Sequence, residues 1–441
     1  MRDYVRALDT RGELLHVDRK VDGRHELAAV TYRVQKETDK AVIFHDVAGT
    51  AFPVVSNLYG SRRRLCELLD AADGNFCRRW HQIMQDSRLP EGGATRLVSA
   101  SAELRTGSIH ELPQLIYCEK DAGPYITAGI YLAHDPETGV PNLSFHRTML
   151  VSDTEVRARL GPPHDLTHYQ KMAESQGKPL EVAILIGAPP EIFLGACASI
   201  PRAESELDVA ARIRGSPLPM RPCSRIEMLV PAEAEIVIEG RILPNVRRPE
   251  GPFGEFLWHY TAEGMNHVVE VLNVSYRRDA LFHSILCGSP EDLTALDVAF
   301  AARVYANLVK DLPGIIDVTC QPITNTTIVK IRKQYEGHVQ HVLLKTFASH
   351  LQYNKICIVV DEDIDIQNFE QVWWAVMTRT QLDTGILQLK GLPGFYHDHG
   401  IKGLHAGRLG IDATIPTGGK NFERKRIPGF DETRLADYVR T

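Results

Sequence analysis

The feature that most restricts the backbone is the stretch Glu-Gly-Pro-Phe-Gly-Glu, which runs from Glu250 to Glu255. Pro252 fixes its own φ angle and restricts the preceding Gly251, while Gly254 permits torsions that residues with side chains avoid. A turn with so little freedom loses little entropy on folding, so it can hold both acids at a set separation. Two nearby carboxylates do not both ionise easily, and a carboxyl group that stays protonated suits a general acid. The competing interpretation is a solvated surface turn with acidic flanks.

Three further polar motifs lie upstream of this turn. They are Asn142-Leu-Ser-Phe-His-Arg147, Pro162-Pro163-His164 and Glu204-Ser-Glu206-Leu207. In this order and spacing, the four motifs resemble those of the UbiD family of prenylated-flavin-dependent decarboxylases. Members of that family carry Asn-x4-Arg, then a His, then a Glu, and then Glu-x-Pro-Phe-Gly-Glu. The likeness extends through most of the chain.

Hydrophobic periodicity predicts an α/β (α+β) protein in which the proportion of strands and helices changes along the chain. Apolar or alternating runs bounded by Gly, Pro and Asn dominate residues 105–290, whereas helices and strands alternate before and after them. The predicted helices are Asp3–Leu8, Glu26–Val34, Asp292–Asp311, Val339–Leu351 and one that begins near Phe369. The predicted strands are Ala41–His45, Leu180–Ile186, Ala234–Ile242, His267–Tyr276, Thr327–Arg332 and Ile356–Val360.

The resemblance implies a division of the chain into four parts. Residues 1–104 would form the N-terminal α/β part of the cofactor-binding domain, and residues 105–290 a split β-barrel that binds prenylated FMN. Residues 291–398 would form an α/β oligomerisation domain, in which Trp373-Trp374-Ala375 matches the family's dimerisation helix. Residues 399–441 would form a C-terminal segment that returns towards the flavin site.

Composition excludes several classes of protein. A net charge of −6 without a long basic block argues against a nucleic-acid partner. The eight scattered cysteines contain no Cys-x2-Cys pair, which indicates reduced thiols rather than a disulfide framework or a zinc ribbon. The charged N-terminus does not resemble a signal peptide, and no apolar run is long enough to span a bilayer. We therefore expect a cytoplasmic protein without a membrane segment.

Arg147, Glu250 and Glu255 match the family's catalytic trio. A guanidinium beside Glu250 would keep that carboxylate charged, whereas we expect Glu255, without such compensation in a water-poor pocket, to stay protonated. No side chain is a good sink for the electrons that departing CO2 leaves behind, so a cofactor must accept them. In the family this cofactor is prenylated FMN, which bonds covalently to the substrate before the second glutamate protonates the adduct. The competing interpretation of Arg147 is a structural salt bridge.

Asn142, His164 and Glu206 offer an amide oxygen, an imidazole and a carboxylate, a set that suits Mn²⁺ or Mg²⁺ bridging a phosphate. They match the divalent-ion ligands that anchor the cofactor phosphate in the family. His164 is also a candidate N-cap or loop histidine. His168 and Glu204 are rival ligands, and the register of the motifs favours His164 and Glu206 over them.

The resemblance implies further contacts to the cofactor. Gly407-Arg408-Leu-Gly-Ile-Asp412-Ala-Thr414 is similar to a segment that returns towards the flavin phosphate, where Arg408 would add a positive charge. A monovalent cation such as K⁺ would be held by carbonyl groups near Ala196–Ala198. The full set of implied cofactor-binding residues is Asn142, Ser144, His146, Arg147, His164, Glu206 and Arg408.

Three charged or glycine-rich runs have simpler interpretations. Arg62-Arg63-Arg64 is either an anion site or the solvated start of a helix, and we favour the helix start. Asp361-Glu-Asp-Ile-Asp-Ile366 lacks the glycine and the ligand spacing of an EF-hand loop, so we expect it to cap the helix near Phe369. Gly418-Gly419-Lys420 is not a P-loop, because Thr414 replaces the first glycine of that motif.

These observations predict a homo-oligomeric enzyme, a dimer or a dimer-based hexamer, supplied with its cofactor by a flavin prenyltransferase. It would reversibly decarboxylate an α,β-unsaturated or (hetero)aromatic carboxylic acid without oxidation, releasing CO2 through a covalent adduct. Trp258 stands where the family often has glycine, and it either narrows the pocket or packs outward. The alternatives are the catalytic subunit of a multi-subunit aromatic carboxylase, a flavin- or phosphate-binding protein without lyase activity, and a metal-dependent hydrolase.

Overall fold

The chain is described by a computed structural model over residues 1–71, 74–99, 104–162, 164–321, 325–349, 354–394 and 405–420, and at 422, 424–425, 427–429, 432–433 and 437–438. Its helices and strands form an α/β unit, an antiparallel sheet with covering helices, and a second α/β unit. The predicted mixed α/β class is therefore confirmed. No helix in these ranges combines the length and the apolar composition needed to cross a bilayer. All eight cysteines are free thiols.

The N-terminal part is built around a four-stranded sheet in the order β1-β2-β3-β18. Strand β1 runs parallel to β2, β3 is antiparallel to β2, and β18 joins β3 in parallel from much later in the chain. The helices of this part are α1 (Arg2–Thr10), α2 (Glu26–Glu37), α3 (Arg62–Leu68) and α4 (Phe76–Gln85). The strands are β1 (Leu14–Val17), β2 (Ala41–Phe44), β3 (Val54–Ser56) and β18 (Phe282–His283).

The central part is dominated by a nine-stranded antiparallel sheet in the order β6-β9-β10-β17-β14-β11-β7-β8, with β5 also paired to β17. Its strands are β5 (Leu104–Gly107), β6 (Tyr125–Ile126), β7 (Ile130–His134), β8 (Pro141–Phe145), β9 (Thr148–Ser152), β10 (Glu155–Ala158), β11 (Leu180–Ile186), β14 (Ile236–Glu250) and β17 (Gly264–Arg277). The path is open between β6 and β8 in the described residues, so the structure shows no closed barrel there.

Strand β11 shows why this region has apolar runs as well as alternating ones. Val182 and Ile184 pack into one hydrophobic core and Ala183 and Leu185 into another, so both faces of the strand are buried. Helices α5 (Asp165–Ser175), α6 (Pro190–Ala196) and α7 (Glu206–Arg214) accompany the sheet. The short strands are β4 (Thr95–Leu97), β12 (Leu218–Pro222), β13 (Leu229–Pro231), β15 (Phe253–Gly254) and β16 (Tyr260–Thr261).

The C-terminal part is a five-stranded sheet in the order β19-β20-β21-β23-β22. The long helix α8 leads into it from the central part and packs on β19. Its helices are α8 (Pro290–Val309), α9 (His338–Ala348) and α10 (Phe369–Arg379). Its strands are β19 (Ile315–Gln321), β20 (Thr326–Ile331), β21 (Ile356–Asp361), β22 (Ile386–Pro393) and β23 (His405–Ala413). The predicted end of α9 at Leu351 and the predicted boundary after 398 lie outside the described residues.

The arginine run starts helix α3 as predicted, but only Arg63 of the three is exposed to solvent. The guanidinium of Arg62 is 2.8 Å from Asp297 of α8 and 3.5 Å from Asp317 of β19, and Arg64 is fully buried. Burial raises the pKa of Asp297 to about 6, although Arg62 opposes this shift. Arg62 therefore connects the N-terminal part to the C-terminal part.

The acidic run after β21 does not cap helix α10, so that prediction is wrong. The side chain of Asn368 accepts a hydrogen bond from the backbone N–H of Gln371 and is the cap. Asp361 and Asp363 instead pair with Arg379 in the last turn of the helix, at 2.8 and 2.7 Å. The run thus ties β21 to the C-terminal end of α10.

Candidate active site

A cavity of about 790 Å³ lies between the central sheet, the loop after α6 and one face of α8. This volume lies within the range of protein sites that enclose small molecules and cofactors. The cavity brings together most of the predicted site residues, which are Asn142, Ser144, His146, Arg147, His164, Glu206 and Glu255. Glu250 and Arg408 do not line it.

The turn from Glu250 to Glu255 is buried and firmly held. It contains a cis peptide bond between Gly251 and Pro252, and the side chain of Asp121 accepts a 2.9 Å hydrogen bond from the backbone N–H of Gly254. A Cβ atom at Gly254 would lie only 2.8 Å from the sulfur of Cys118, so a side chain at this position would displace Cys118. Because the Glu250 side chain is fully buried, the solvated-turn interpretation is wrong.

Arg147 lies between the two acids of this turn. Its Nε and Nη2 atoms donate to both carboxylate oxygens of Glu250 at 3.0 and 2.9 Å. Its Nη1 atom donates to Oε1 of Glu255, and the guanidinium stacks 4.7 Å from the centre of the Phe253 ring. The expectation that Glu255 has no cationic partner is therefore wrong, and Arg159 adds a second cation 3.9 Å away.

Glu250 binds Arg147 but does not itself line the cavity. Besides Arg147, its carboxylate accepts hydrogen bonds of 2.8 Å from the hydroxyl of Tyr125 and 2.8 Å from the amide of Asn266. Burial and the nearby Glu250 raise the pKa of Tyr125, so this hydroxyl stays a donor. Four donors saturate the carboxylate. Glu250 therefore orients Arg147 rather than contacting a bound molecule.

Asp292 is an acid of the cavity that the motifs did not reveal. It lies in the first turn of α8, and Oδ2 accepts a 2.7 Å hydrogen bond from the backbone N–H of Gly288. Withdrawal from bulk water raises the pKa of Asp292 to about 6, and the charges of Glu255 and Glu291 add to the shift. In the sequence, Asp292 was recognisable only as an acid in the first turn of the predicted helix. An acid at that position commonly stabilises the start of a helix and does not by itself indicate a functional site.

Two of the predicted metal ligands, Asn142 and Glu206, are hydrogen-bonded to each other, and the third, His164, lines the same cavity. Asn142 donates 3.1 Å to Oε1 of Glu206, and the hydroxyl of Ser144 donates 3.1 Å to Oδ1 of Asn142. The same hydroxyl is 2.9 Å from Nε2 of His146, whose ring centre is 5.2 Å from that of His164. His164 is the N-cap residue of α5, but its side chain makes no capping hydrogen bond, so the ring is free for another role.

This donor set fits a divalent cation. Burial raises the pKa of Glu206 to about 7, so a positive charge beside this carboxyl group would favour its ionised form. Within the described ranges, no group of three or more His, Cys, Asp or Glu side chains has metal-binding geometry, but this set includes an amide. Of the rivals, Glu204 is exposed and His168 does not line the cavity. The assignment of metal ligands stays a prediction.

Arg408 is not brought to the cavity, and its prediction is corrected. It lies in β23, which is hydrogen-bonded to β21 on one side and to β22 on the other. Its guanidinium is buried and donates to the backbone carbonyls of Gly407, at 3.2 Å, and Pro393. This strand is an inner member of the C-terminal sheet rather than a segment returning to a flavin phosphate. Ala196–Ala198 do line the cavity, and the K⁺ site there stays a prediction.

Trp258 packs outward and does not narrow the cavity. Its backbone has a φ angle of 61°, a left-handed conformation that favours glycine. The indole lies 5.2 Å from the ring of Tyr32 in α2, and its Nε1 atom donates 3.3 Å to the carbonyl of Gly288. The backbone conformation accounts for the glycine that family members often have at this position.

Three family models match successive parts of the chain. They describe the N-terminal domain (residues 5–84), the Rift-related domain (96–290) and the C-terminal domain (296–413) of 3-octaprenyl-4-hydroxybenzoate carboxy-lyase, UbiD. A curated relative from Methanosarcina mazei, an anhydromevalonate phosphate decarboxylase, is 32% identical over 97% of this chain and 99% of its own length.

Solved structures lead to the same family. The UbiD-class enzyme HmfF from Pelotomaculum thermopropionicum, in complex with FMN, is 33% identical over 99% of each chain with a TM-score of 0.92. An evolved dimeric form of that enzyme, in complex with prenylated FMN, is 32% identical over 99% of each chain with a TM-score of 0.87. The chain therefore belongs to the UbiD family of carboxy-lyases and is a decarboxylase of that family.

Proposed function

We propose that the enzyme uses prenylated FMN and a divalent cation to decarboxylate, reversibly and without oxidation, an α,β-unsaturated carboxylic acid. The observation that carries this proposal is the arginine between two carboxylates, Arg147 with Glu250 and Glu255, at the wall of a cavity of about 790 Å³. Prenylated FMN, when bound, supplies the sink for the electron pair that CO2 leaves behind. The side chains of the enzyme bind the acid and move the proton.

Each turnover consumes one proton, which replaces CO2 on carbon. Glu255 is the acid of the trio that faces the cavity, so we assign the transfer to its carboxyl group. Arg147 contacts Glu255 in this structure, and a substrate carboxylate that enters beside the guanidinium competes for it. The same carboxylate brings a second negative charge near Glu255, and like charges favour protonation of one of the two groups. Substrate binding thereby prepares the acid.

We propose that the substrate carries a second anionic group. Asp292, Leu296 and Arg303 lie on one face of α8 and line the cavity, and Arg303 is about 16 Å from Asp292 at 1.5 Å per residue. No ion pair within the described ranges involves Arg303, and its side chain is exposed to the cavity. The relative named anhydromevalonate phosphate decarboxylase also favours a non-aromatic phosphorylated acid.

The test is a turnover assay on enzyme co-produced with a flavin prenyltransferase, after the mass of the released cofactor has been determined. Acids would be offered in matched pairs, with and without a distal phosphate, and CO2 release would be measured. We expect a lower KM for the phosphorylated member of each pair. Turnover of aromatic acids alone would contradict the substrate proposal. A requirement for a second polypeptide would favour the multi-subunit carboxylase.

We also propose a cytoplasmic location, which the eight free thiols support.

Replacement of Glu206 by glutamine tests the metal proposal. The change removes the only carboxylate of the predicted ligand set and keeps its shape, so we expect loss of bound Mn²⁺ or Mg²⁺. The measurement is metal content after dialysis, by elemental analysis, together with flavin content. Glu204→Gln is the matched control, because Glu204 is exposed two positions away. Equal metal content in the two variants would refute the assignment.

A stripe of exposed apolar side chains on α10 supports a homo-oligomer, which we propose forms through this helix. Phe369, Trp373 and Met377 are spaced at four residues on one face, and they are 49%, 49% and 68% exposed. We expect Met377→Glu to shift the protein to a smaller species in sedimentation velocity. Met265→Glu is the control, because Met265 is 64% exposed on β17, away from this helix. An unchanged sedimentation coefficient for Met377→Glu would argue for another interface.

A further inference from the structure

Trp258 closes a tight loop that carries Glu255. The backbone N–H of Trp258 donates 2.9 Å to the carbonyl of Glu255, and the N–H of Glu255 donates 2.8 Å to the carbonyl of His259. Within this loop Trp258 holds a φ angle of 61°, which is strained for a residue with a side chain. Such strain persists only where surrounding contacts enforce it. The contacts of the indole ring therefore enforce the left-handed backbone of Trp258.

The indole is hydrogen-bonded to the backbone of Gly288, a residue that also contacts the second acid of the cavity. Nε1 of Trp258 donates 3.3 Å to the carbonyl of Gly288, and the N–H of Gly288 donates 2.7 Å to Asp292. A Cβ atom at Gly288 would lie 3.1 Å from the carbonyl oxygen of Phe256, and its φ angle is 76°. The two loops are thus packed backbone to backbone, and a single residue, Gly288, joins Trp258 to Asp292 through its carbonyl and its N–H.

The indole ring also contacts the N-terminal part of the molecule. Its ring lies 5.2 Å from that of Tyr32 at an angle of 54°, and Lys36 of the same helix lies 5.1 Å from the Tyr32 ring. Helix α2 is fixed to the N-terminal sheet through buried residues such as Leu27 and Ala28. The indole therefore rests on a packed element of another part of the chain.

We propose that Trp258 is a positioning residue that fixes the two acids of the cavity, Glu255 and Asp292, relative to each other. It does so by holding the Glu255 loop in a left-handed turn and by anchoring the Gly288 peptide. This inference rests on the proposed decarboxylation, in which Glu255 carries the proton. A glycine, which family members often have here, can adopt this backbone conformation without strain, whereas Trp258 needs the contacts of its side chain to hold it.

Two substitutions separate the parts of this support. Trp258→Phe keeps a ring beside Tyr32 and removes the N–H donor, whereas Trp258→Gly removes the ring and relieves the backbone strain. We expect kcat to fall about tenfold in Trp258→Phe and further in Trp258→Gly, with KM changed less than twofold. The acidic limb of the pH profile should move in both variants, since Asp292 also faces Glu255, Glu291 and the thiol of Cys287. Leu229→Ala is the control, because Leu229 is an exposed apolar residue on β13 that does not line the cavity.

Hydrogen exchange measured by mass spectrometry gives a readout that does not require turnover. We expect faster exchange at residues 254–260 and 286–292 in Trp258→Phe than in the unsubstituted enzyme or in Leu229→Ala. Unchanged exchange in both segments would overturn the proposal, and so would faster exchange with kcat and the pH profile unchanged. An unsubstituted enzyme without activity on any acid would refute the decarboxylation proposal, while the exchange data would still decide whether Trp258 holds the two loops.

Discussion

Replacing Glu255 with glutamine is expected to lower kcat by about 10²–10⁴-fold, the usual contribution of a positioned general acid. The amide cannot deliver a proton, yet it preserves the size of the side chain and one acceptor for Arg147. Flavin and metal content should therefore stay unchanged, and the loss should appear in kcat and kcat/KM alike. The measurement is steady-state CO2 release beside cofactor quantitation.

Glu263→Gln provides the control for this experiment. Glu263 is exposed, lies eight positions further along the chain and does not line the cavity, so its activity should equal that of the unsubstituted enzyme. Full activity in Glu255→Gln would show that another group supplies the proton. Asp292 would then be the next candidate, because it also lines the cavity and its pKa is raised to about 6.

Replacing Arg147 with glutamine is expected to harm both activity and folding. Arg147 is the cation that faces the fully buried Glu250, and breaking a buried pair by removing one partner costs about 3–5 kcal/mol of unfolding free energy. Activity should fall below detection, because the substrate carboxylate loses its guanidinium and Glu255 loses its orientation. The measurements are denaturant unfolding and CO2 release.

Two further variants make this prediction specific. Arg147→Lys keeps the charge and loses the two-pronged contact with Glu250, so it should recover more stability than activity. Arg241→Gln breaks a pair with Glu181 in which both side chains are about one-third exposed, and its cost should stay below about 1 kcal/mol. If Arg147→Gln cost no more than Arg241→Gln, the buried trio would not be the interdependent unit described above.

The sequence predicted correctly those features that depend on residues close to one another in the chain. The Pro and Gly residues around Phe253 predicted a constrained turn, and the structure shows one held by Asp121. Strand β11 was predicted with both ends correct, because its apolar run is bounded by Pro179 and Gly187. The order of motifs also identified the residues that the cavity brings together, although their roles still await experiment.

The errors came from partners that are distant in sequence. Arg62 was expected in solvent, yet its carboxylate partners Asp297 and Asp317 lie more than 200 positions away and are invisible to a local pattern. Arg408 was assigned to the cofactor from a short likeness, and only the strand order shows that it lies inside a sheet. Asp292 was missed because an acid at a helix start usually has a purely structural meaning.

The pairing of β18 with β3 has a consequence for synthesis on the ribosome. The N-terminal sheet receives its last strand, Phe282–His283, only after the whole central part has been translated. At ~5–20 residues per second, the edge of β3 waits roughly 10–45 s for its partner. An unpaired, apolar strand edge invites association with other chains. We therefore expect nascent chains of this enzyme to need chaperones bound to them during that interval. We also expect fragments that end before Phe282 to aggregate.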